Sequence, residues 1–345
     1  MCNCFLDPIG LGTFSTFSVV MSITQTVTKS TPAKLRQTNE DSTISNTKLV
    51  TLLRIITILL IYIAYCNADA IQYVIDLTWE WLRHQFWYQT VYNETFSVQV
   101  WTYLPLFAHR LMHNYKLAEK YKITDTSAVY LKTSVVMQLR EAFEYSLPLV
   151  ILDTFHVKSY AGVEPQVLDE KRLHLFQTTR ALPVAAPLLG DVVRHLVIAL
   201  VVYDACFFLQ HFIFHKNATL YRLFHKKHHT HESLNVKITN KLHMVERIAL
   251  VLSANAGLKI QGAHPLTRTF FIMLFVPILL DNHSGYDFPW SYDKILPAGL
   301  IAGPRRHFLH HEYGNRYYQP VFTYIDGILE WKRKRNHDAN LRRSE

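Results

Sequence analysis

The chain has 345 residues, of which 49% are hydrophobic and 18% are charged, and its formal net charge is +9. This composition excludes a disordered chain, and the length allows one large domain or two. Lysines and arginines are spread between apolar runs and gathered near the C-terminus in the sequence WKRKR. This distribution is typical of a membrane protein with basic cytosolic loops, and it argues against a nucleic-acid partner.

The N-terminal part of the chain predicts a tail followed by a membrane span. Residues 1–48 are rich in Ser, Thr and Asn, and they predict a flexible cytosolic tail. Residues 49–68 form the first long apolar run, which as a helix is long enough to cross ~30 Å of hydrocarbon. Basic residues precede this run and acidic residues follow it, so the positive-inside bias places the N-terminus in the cytosol.

Further apolar runs predict an all-α, multi-pass integral membrane helical bundle. The apolar runs between residues 96 and 209 predict a segment that returns the chain to the cytosolic side, followed by a hairpin of two membrane segments. Residues 49–189 are predicted to form the N-terminal membrane-spanning region. Two later runs, IALVLSANAGL and TFFIMLFVPILL, have about a dozen residues each. As helices they would span only ~17 Å, so they predict a shallow re-entrant hairpin that keeps its two flanks on one side of the membrane.

Histidines are concentrated on both sides of this hairpin. His211 and His215 are four residues apart at the end of a predicted apolar helix, so both rings share one face. The sequences HKKHH and HFLHH place imidazoles at i, i+3 and i+4, and each triplet is expected to offer three rings to one site; these histidines are His225, His228, His229, His307, His310 and His311. The eight rings exceed the four ligands of a structural zinc, so two metals are predicted. Imidazole suits iron, copper and zinc alike, so the spacing does not choose the metal.

These three histidine boxes resemble those of the fatty acid hydroxylase/sterol desaturase superfamily. The sequence LYRLFHKKHH resembles the second box closely, and DNHSGYDFPW with PVFTYIDGIL is similar to the cholesterol 25-hydroxylase-like group within the superfamily. The resemblance covers residues 190–330, which it marks as a catalytic domain, and a basic tail follows at residues 331–345. As metal ligands it implies His211, His215, His225, His228, His229, His307, His310 and His311, together with His283 of the HSGY element.

What the resemblance implies is a non-haem di-iron monooxygenase that hydroxylates a C–H bond of a sterol or acyl lipid. Electrons would come from NADPH through cytochrome b5 or a reductase. The enzyme would lie in the endoplasmic reticulum membrane with its histidine boxes facing the cytosol. Desaturation, methyl oxidation and ether-lipid cleavage at the same metal centre remain alternative reactions. A membrane metal-binding protein without catalysis is a further alternative, although a transporter would place its ligands within spans at the midplane.

The chain departs from the family pattern at three positions. His243 lies in HMVE, which resembles an HPxE element without its proline, so His243 either supports a ligand or has a structural role. Phe308 occupies the position of the aspartate in the usual HDxHH box, which removes a carboxylate that would orient a ligating imidazole. Asp293 stands where close relatives carry another histidine, and it is expected either to join the metal site or to belong to a loop.

Overall fold

A computed structural model of the protein describes residues 35, 40–130, 134–296 and 299–344. Within these residues the chain is helical, and its β-structure is limited to isolated bridges. The helices that matter here are α1 (Glu40–Cys66), α2 (Ala68–Leu82), α3 (Asn93–Asn114), α4 (Val135–Phe155), α5 (Leu189–Lys216), α6 (Met244–Ile260), α7 (Pro265–Asn282), α8 (Pro304–Tyr313) and α9 (Tyr324–Ser344). The predicted N-terminal tail lies largely outside the described residues, and the predicted basic C-terminal tail falls within α9.

In the part of the chain that the structure describes, three helical segments are long and apolar enough to cross a membrane: Thr47–Cys66 of α1, the whole of α5 and the whole of α7. The prediction of two short runs between the histidine clusters was wrong in length, because α6 and α7 have 17 and 18 residues. At 1.5 Å per residue they extend ~26 Å and ~27 Å. Polar residues at both ends of each apolar run continue the helix, and a count of apolar residues alone misses them.

The main core is built where α5, α6 and α7 pack together with the segment that follows α8. Its buried side chains include Tyr203 of α5 and Phe271, Phe275 and Leu280 of α7. Gly257 of α6 allows the close approach of α5, since a Cβ added there would lie 2.7 Å from the Cα of Ala199. This packing brings the C-terminal ends of α5 and α7 and the N-terminal end of α6 to the same end of the bundle, where the histidines lie.

Candidate metal centre

Nine histidines meet at this end of the bundle in two groups. In each group, one nitrogen from every ring lies within 4.8 Å of the corresponding nitrogens of the others. The five-histidine group contains His211, His215, His225, His229 and His310, and the four-histidine group contains His228, His283, His307 and His311. The two groups are adjacent, because the rings of His229 and His311 are stacked with centroids 4.5 Å apart. The structure therefore brings together all nine histidines that the sequence singled out.

Local structure places each box at this point. His211 and His215 lie in the last turns of α5, and Asn217 then starts a new helical segment by accepting hydrogen bonds from the backbone N–H groups of Thr219 and Leu220, both at 3.0 Å. A π-helical turn over Tyr221–His225 follows and carries the chain into the second box. The third box lies on α8, and His283 comes directly after α7.

The expectation that each triplet faces one site was wrong. His225 and His229 belong to the five-histidine group, whereas His228 belongs to the other. The third box divides in the same way, with His307 and His311 together and His310 apart. At ~100° per residue, positions i and i+4 differ by ~40° around a helix, but i+3 and i+4 differ by ~100°. The i, i+4 pairs therefore stay together while the i+3 ring turns to the neighbouring group.

Hydrogen bonds fix the tautomer of four rings. The Nδ1 atoms of His211, His310 and His283 lie 2.9, 2.8 and 3.0 Å from the backbone carbonyl oxygens of Tyr318, Arg316 and Leu279. His225 Nδ1 lies 2.6 Å from Oε1 of Glu246. Because a carbonyl or a carboxylate oxygen accepts, each of these Nδ1 atoms donates its proton, and Nε2 of the neutral ring keeps its lone pair.

The Nε2 atoms of the rings converge inside each group. His225 Nε2 lies 2.9 Å from His215 Nε2, and His283 Nε2 lies 2.9 Å from His307 Nε2 and 3.3 Å from His228 Nε2. Buried nitrogens without any hydrogen-bond partner include Nε2 of His211, His229 and His310. Buried nitrogens without a partner are costly, and a cation bound among the rings would satisfy them. The residues of both groups therefore fit a metal ion.

Burial also keeps these rings unprotonated. Desolvation lowers the pKa of His228, His307 and His311 well below the usual range of an imidazole. It lowers the pKa of His283 to about 4 and that of His310 to about 3. Neutral imidazole is the form that binds metal, so at neutral pH these ligand atoms are ready without prior loss of a proton.

Glu246 is a functional residue that the sequence reasoning missed. Its carboxylate holds His225, and its side chain and that of His225 are only 7% and 1% exposed. Glu246 is the last residue of the sequence HMVE, in which only His243 was considered as a functional residue. His243 has the structural role, because its Nδ1 accepts a hydrogen bond from the backbone N–H of Val245 and begins α6.

A second missed feature is the network that holds the segment after α8. The carboxylate of Asp204 on α5 accepts from the backbone N–H groups of Val321 and Phe322 at 2.9 and 3.2 Å. Asp326 accepts from the backbone N–H groups of Tyr318 and Gln319 at 3.0 and 2.9 Å. These bonds fix the backbone whose carbonyl groups orient His211 and His310.

Phe308 and Asp293 both lie away from the ligand nitrogens. Phe308 is buried in an apolar cluster with Ile123, Leu234 and Ile238, so the aspartate position of the third box serves packing here. The carboxylate of Asp293 lies against Gly303, where an added Cβ would come within 2.2 Å of its Cγ. Asp293 belongs to neither histidine group among the described residues, so of its two expected roles the structure does not support the one in the metal site.

A further HxxxH pair, His109 and His113, lies on α3. Both rings are half-buried, and their centroids lie 6.2 Å from Tyr286 and 5.5 Å from Tyr130, respectively. They are separate from both histidine groups. This HxxxH pair therefore contributes to packing beside the centre and supplies no ring to it.

Comparison with known proteins agrees with the family resemblance of the three histidine boxes. Residues 196–330 match the model of the fatty acid hydroxylase family. Cholesterol 25-hydroxylase of Homo sapiens is 35% identical over 157 residues, which are 46% of this chain and 58% of that protein. The Rattus norvegicus enzyme of the same name is 33% identical over 169 residues, 49% of this chain and 57% of that protein.

A more distant relative, the cholesterol 25-hydroxylase-like protein of Caenorhabditis elegans, is 28% identical over 148 residues, 43% of this chain and 49% of that protein. The matches span just over half the length of the first two relatives. No solved structure matches the chain. The resemblance read from the histidine boxes is confirmed, because residues 196–330 match the fatty acid hydroxylase family and the chain is similar to cholesterol 25-hydroxylases.

Proposed function

We propose that this protein is a membrane-bound di-iron monooxygenase that hydroxylates a C–H bond of a sterol or another lipid. The observation that carries the proposal is the pair of adjacent imidazole groups whose ring nitrogens converge, with buried Nε2 atoms that have no hydrogen-bond partner. An all-imidazole set leaves the charge of the metals uncompensated and suits iron among other metals. With it we propose electron supply from NADPH through cytochrome b5 or a reductase, and a place in the endoplasmic reticulum membrane with the boxes facing the cytosol.

Two bound irons would supply the capacity to place one atom of O2 in an unactivated C–H bond and release the other as water, with two electrons and two protons consumed. The chain's own residues prepare the site for this chemistry. Glu246 keeps a proton on Nδ1 of His225, and the carbonyl groups of Arg316 and Tyr318 do the same for His310 and His211. Each ring is thereby held with Nε2 directed into its group.

A cavity next to the site supports a lipid substrate. Its volume is about 640 Å³, within the range of pockets that hold small organic ligands. It lies between α3, α4, α6 and α7, and its lining is mainly apolar. On α7 it reaches Leu279 and Leu280, within one helical turn of His283. A chain that fills this space would exclude water from the neighbourhood of the metals.

Hydroxylation is preferred over desaturation, methyl oxidation and ether-lipid cleavage because the similar proteins are named as hydroxylases. These other outcomes would use the same metal groups, with a different C–H bond presented to them. A metal-binding membrane protein without catalysis is the alternative from another class. The cavity beside the histidines favours the enzyme, since a metal store has no need of a lipid-sized space.

The test is to express the full chain in a sterol-producing host and to measure the metal content of the purified protein together with oxidised lipids formed under ¹⁸O2. We expect about two irons per chain and a lipid product that carries one ¹⁸O atom. His228→Ala should lose both metal and product. His84→Ala, at a side chain that is 56% exposed, is the matched control and should lose neither.

Two outcomes would contradict the proposal. A stoichiometric zinc content with iron-independent product formation would exclude the di-iron assignment. Full iron loading without any oxidised lipid, in the presence of a reductase system and a range of lipids, would favour the non-catalytic alternative.

A further inference from the structure

Helix α9 turns one side of its first three turns towards the rest of the protein. Asp326 accepts hydrogen bonds from two backbone N–H groups of the segment that follows α8, at 3.0 and 2.9 Å. Glu330 accepts from Arg306 of α8 at 3.2 Å, and Arg333 donates to the backbone carbonyl of Asn315 at 2.6 Å. At ~100° per residue, positions 326, 330 and 333 lie within ~60° of one another around the helix. This inner side of α9 is therefore occupied by the chain itself.

The outer side of the same turns carries an apolar stripe. Tyr324, Ile328 and Trp331 are 37%, 54% and 58% exposed. Their positions also lie within ~60° of one another, and the centre of this stripe is ~160° from that of the inner side. Three large apolar side chains in line along an exposed helix face mark a surface that contacts a partner or a membrane.

Exposed cations accompany the stripe. Lys332 and Lys334 lie ~80° to either side of Tyr324 around the helix, and Arg335 continues the stripe with its guanidinium 5.5 Å from the ring centroid of Trp331. Both carboxylates of residues 324–335 belong to the inner side, so over these turns the outer side has three cations and no acidic side chain. Aromatic and aliphatic side chains with cations along their edges are typical of helices that lie in a membrane interface.

Helix α9 begins beside a candidate membrane span. The hydroxyl group of Tyr324 donates to the backbone carbonyl of Val201 at 3.3 Å, and Val201 belongs to α5. The side chains of Val201 and of Val197, one turn earlier, are 40% and 55% exposed. With 28 residues, α5 is ~42 Å long and exceeds the ~30 Å of hydrocarbon, so part of it lies at a membrane surface. The stripe of α9 therefore starts at an exposed apolar side of α5, and both can contact the same lipid.

We propose that the outer side of α9 binds the surface of a membrane that contains anionic phospholipid. The apolar stripe lies at the level of the head groups, and the three cations lie among their phosphate and carboxylate groups. An acidic protein would also match the cations, but an apolar stripe that starts at a membrane span favours lipid. Asp326, on the inner side, holds the backbone whose carbonyl groups orient His211 and His310, so a docked α9 also braces that segment. This inference is independent of the metal and of the reaction.

The test uses the full chain in nanodiscs of phosphatidylcholine, alone or with about one third phosphatidylserine. The chain has six tryptophans, so the fluorescence of Trp331 is obtained as the difference between the unaltered protein and Trp331→Phe. Lipids with brominated acyl chains quench from within the membrane, and acrylamide quenches from water. In nanodiscs with phosphatidylserine we expect quenching of Trp331 by brominated lipid, and acrylamide quenching about threefold or more weaker than in phosphatidylcholine alone. High salt should reverse the difference, because it screens the exposed charges.

A triple variant tests the cations themselves. Each cation near an anionic surface favours binding by about fivefold, so removal of all three should weaken docking by about a hundredfold and expose Trp331 to acrylamide. The variant combines Lys332→Gln, Lys334→Gln and Arg335→Gln. The matched control removes the same number of positive charges at arginines elsewhere whose side chains are 78%, 55% and 57% exposed, and it should leave Trp331 protected. It combines Arg140→Gln, Arg172→Gln and Arg194→Gln.

Equal accessibility of Trp331 to acrylamide in the two kinds of nanodisc would overturn the inference. So would an equal effect of the two triple variants, because net charge and not this face of α9 would then be responsible. Protection of Trp331 only after addition of soluble polyglutamate, which mimics an acidic protein surface, would assign the face to a protein partner and also overturn it. Failure of the proposed function is a separate result, in which the protein lacks iron or forms no oxidised lipid whatever the position of α9.

Discussion

Removing the carboxylate of Glu246 is expected to weaken metal binding at the five-histidine group. The Glu246 oxygen lies 2.6 Å from Nδ1 of His225, and both side chains are almost fully buried. Glu246→Ala leaves a buried N–H group without an acceptor, at a cost of ~1–3 kcal/mol. The ring is then free to turn or to change tautomer, which takes Nε2 out of its position.

The expected loss of metal affinity is about tenfold to a hundredfold, as is common when a group behind a metal ligand is removed. Glu246→Gln keeps an oxygen that accepts the proton but lacks the charge, so its loss should be about tenfold or less. Affinity is measured by competition with a chelator of known strength, and metal content by elemental analysis. Glu170→Gln and Glu170→Ala are the matched controls at an exposed glutamate. Wild-type affinity in Glu246→Ala would refute the role assigned to this carboxylate.

Three other results are expected. Gly257→Ala should lower the free energy of unfolding by ~1–3 kcal/mol because its Cβ would meet α5 at 2.7 Å, whereas Gly190→Ala, with nothing within 4 Å, should be nearly neutral in a thermal unfolding series. The metal-free protein should lose stability as the pH falls from 6.5 towards 4, since burial lowers the pKa of His283 from 6.5 to about 4 and the unfolded chain then binds more protons; stability unchanged over this range would contradict it. Cysteines introduced at Leu220 and Asn315 should react with an impermeant reagent from the same side of the membrane, and opposite sidedness would exclude a single metal centre.

The set of nine histidines could be predicted because helical spacing is a local property. Rings at i and i+4 share a face whatever the rest of the fold does, and the HSGY sequence added His283 through resemblance. How the rings divide could not be predicted in the same way. His225 and His228 are three residues apart but enter different groups, because the group that each ring joins depends on how α5, α8 and the end of α7 pack around the second box.

Most of the groups that orient the histidine rings could not be predicted from the sequence. Two of them are backbone carbonyls of Arg316 and Tyr318, and a backbone carbonyl has no sequence signature. Their position depends on Asp204, more than a hundred residues away in the chain, which holds Val321 and Phe322. Glu246 was within reach, because an acidic residue three positions after His243 is visible in HMVE.

The lengths of α6 and α7 were underestimated for a different reason. Hydrophobic runs mark the part of a helix that is buried or faces lipid, whereas a helix ends only where its backbone hydrogen bonds end. In α6 the first turn contains Glu246 and Arg247, both polar and both buried. Glu246, which holds His225, is therefore one of the polar residues because of which the apolar run did not show where α6 begins.

The two histidine groups differ in how many of their rings are oriented by oxygen acceptors. In the five-histidine group, three rings are oriented by oxygen acceptors, one of which is a carboxylate. In the four-histidine group, His283 has a carbonyl acceptor and His311 has only the neutral ring of His231 at 3.2 Å. Nδ1 of His228 and Nδ1 of His307 have no partner in the structure, while Phe308 packs with aliphatic side chains. The five-histidine group, with the carboxylate of Glu246 behind His225, is therefore the better supported half of the centre, and Phe308 supplies no carboxylate to the other half.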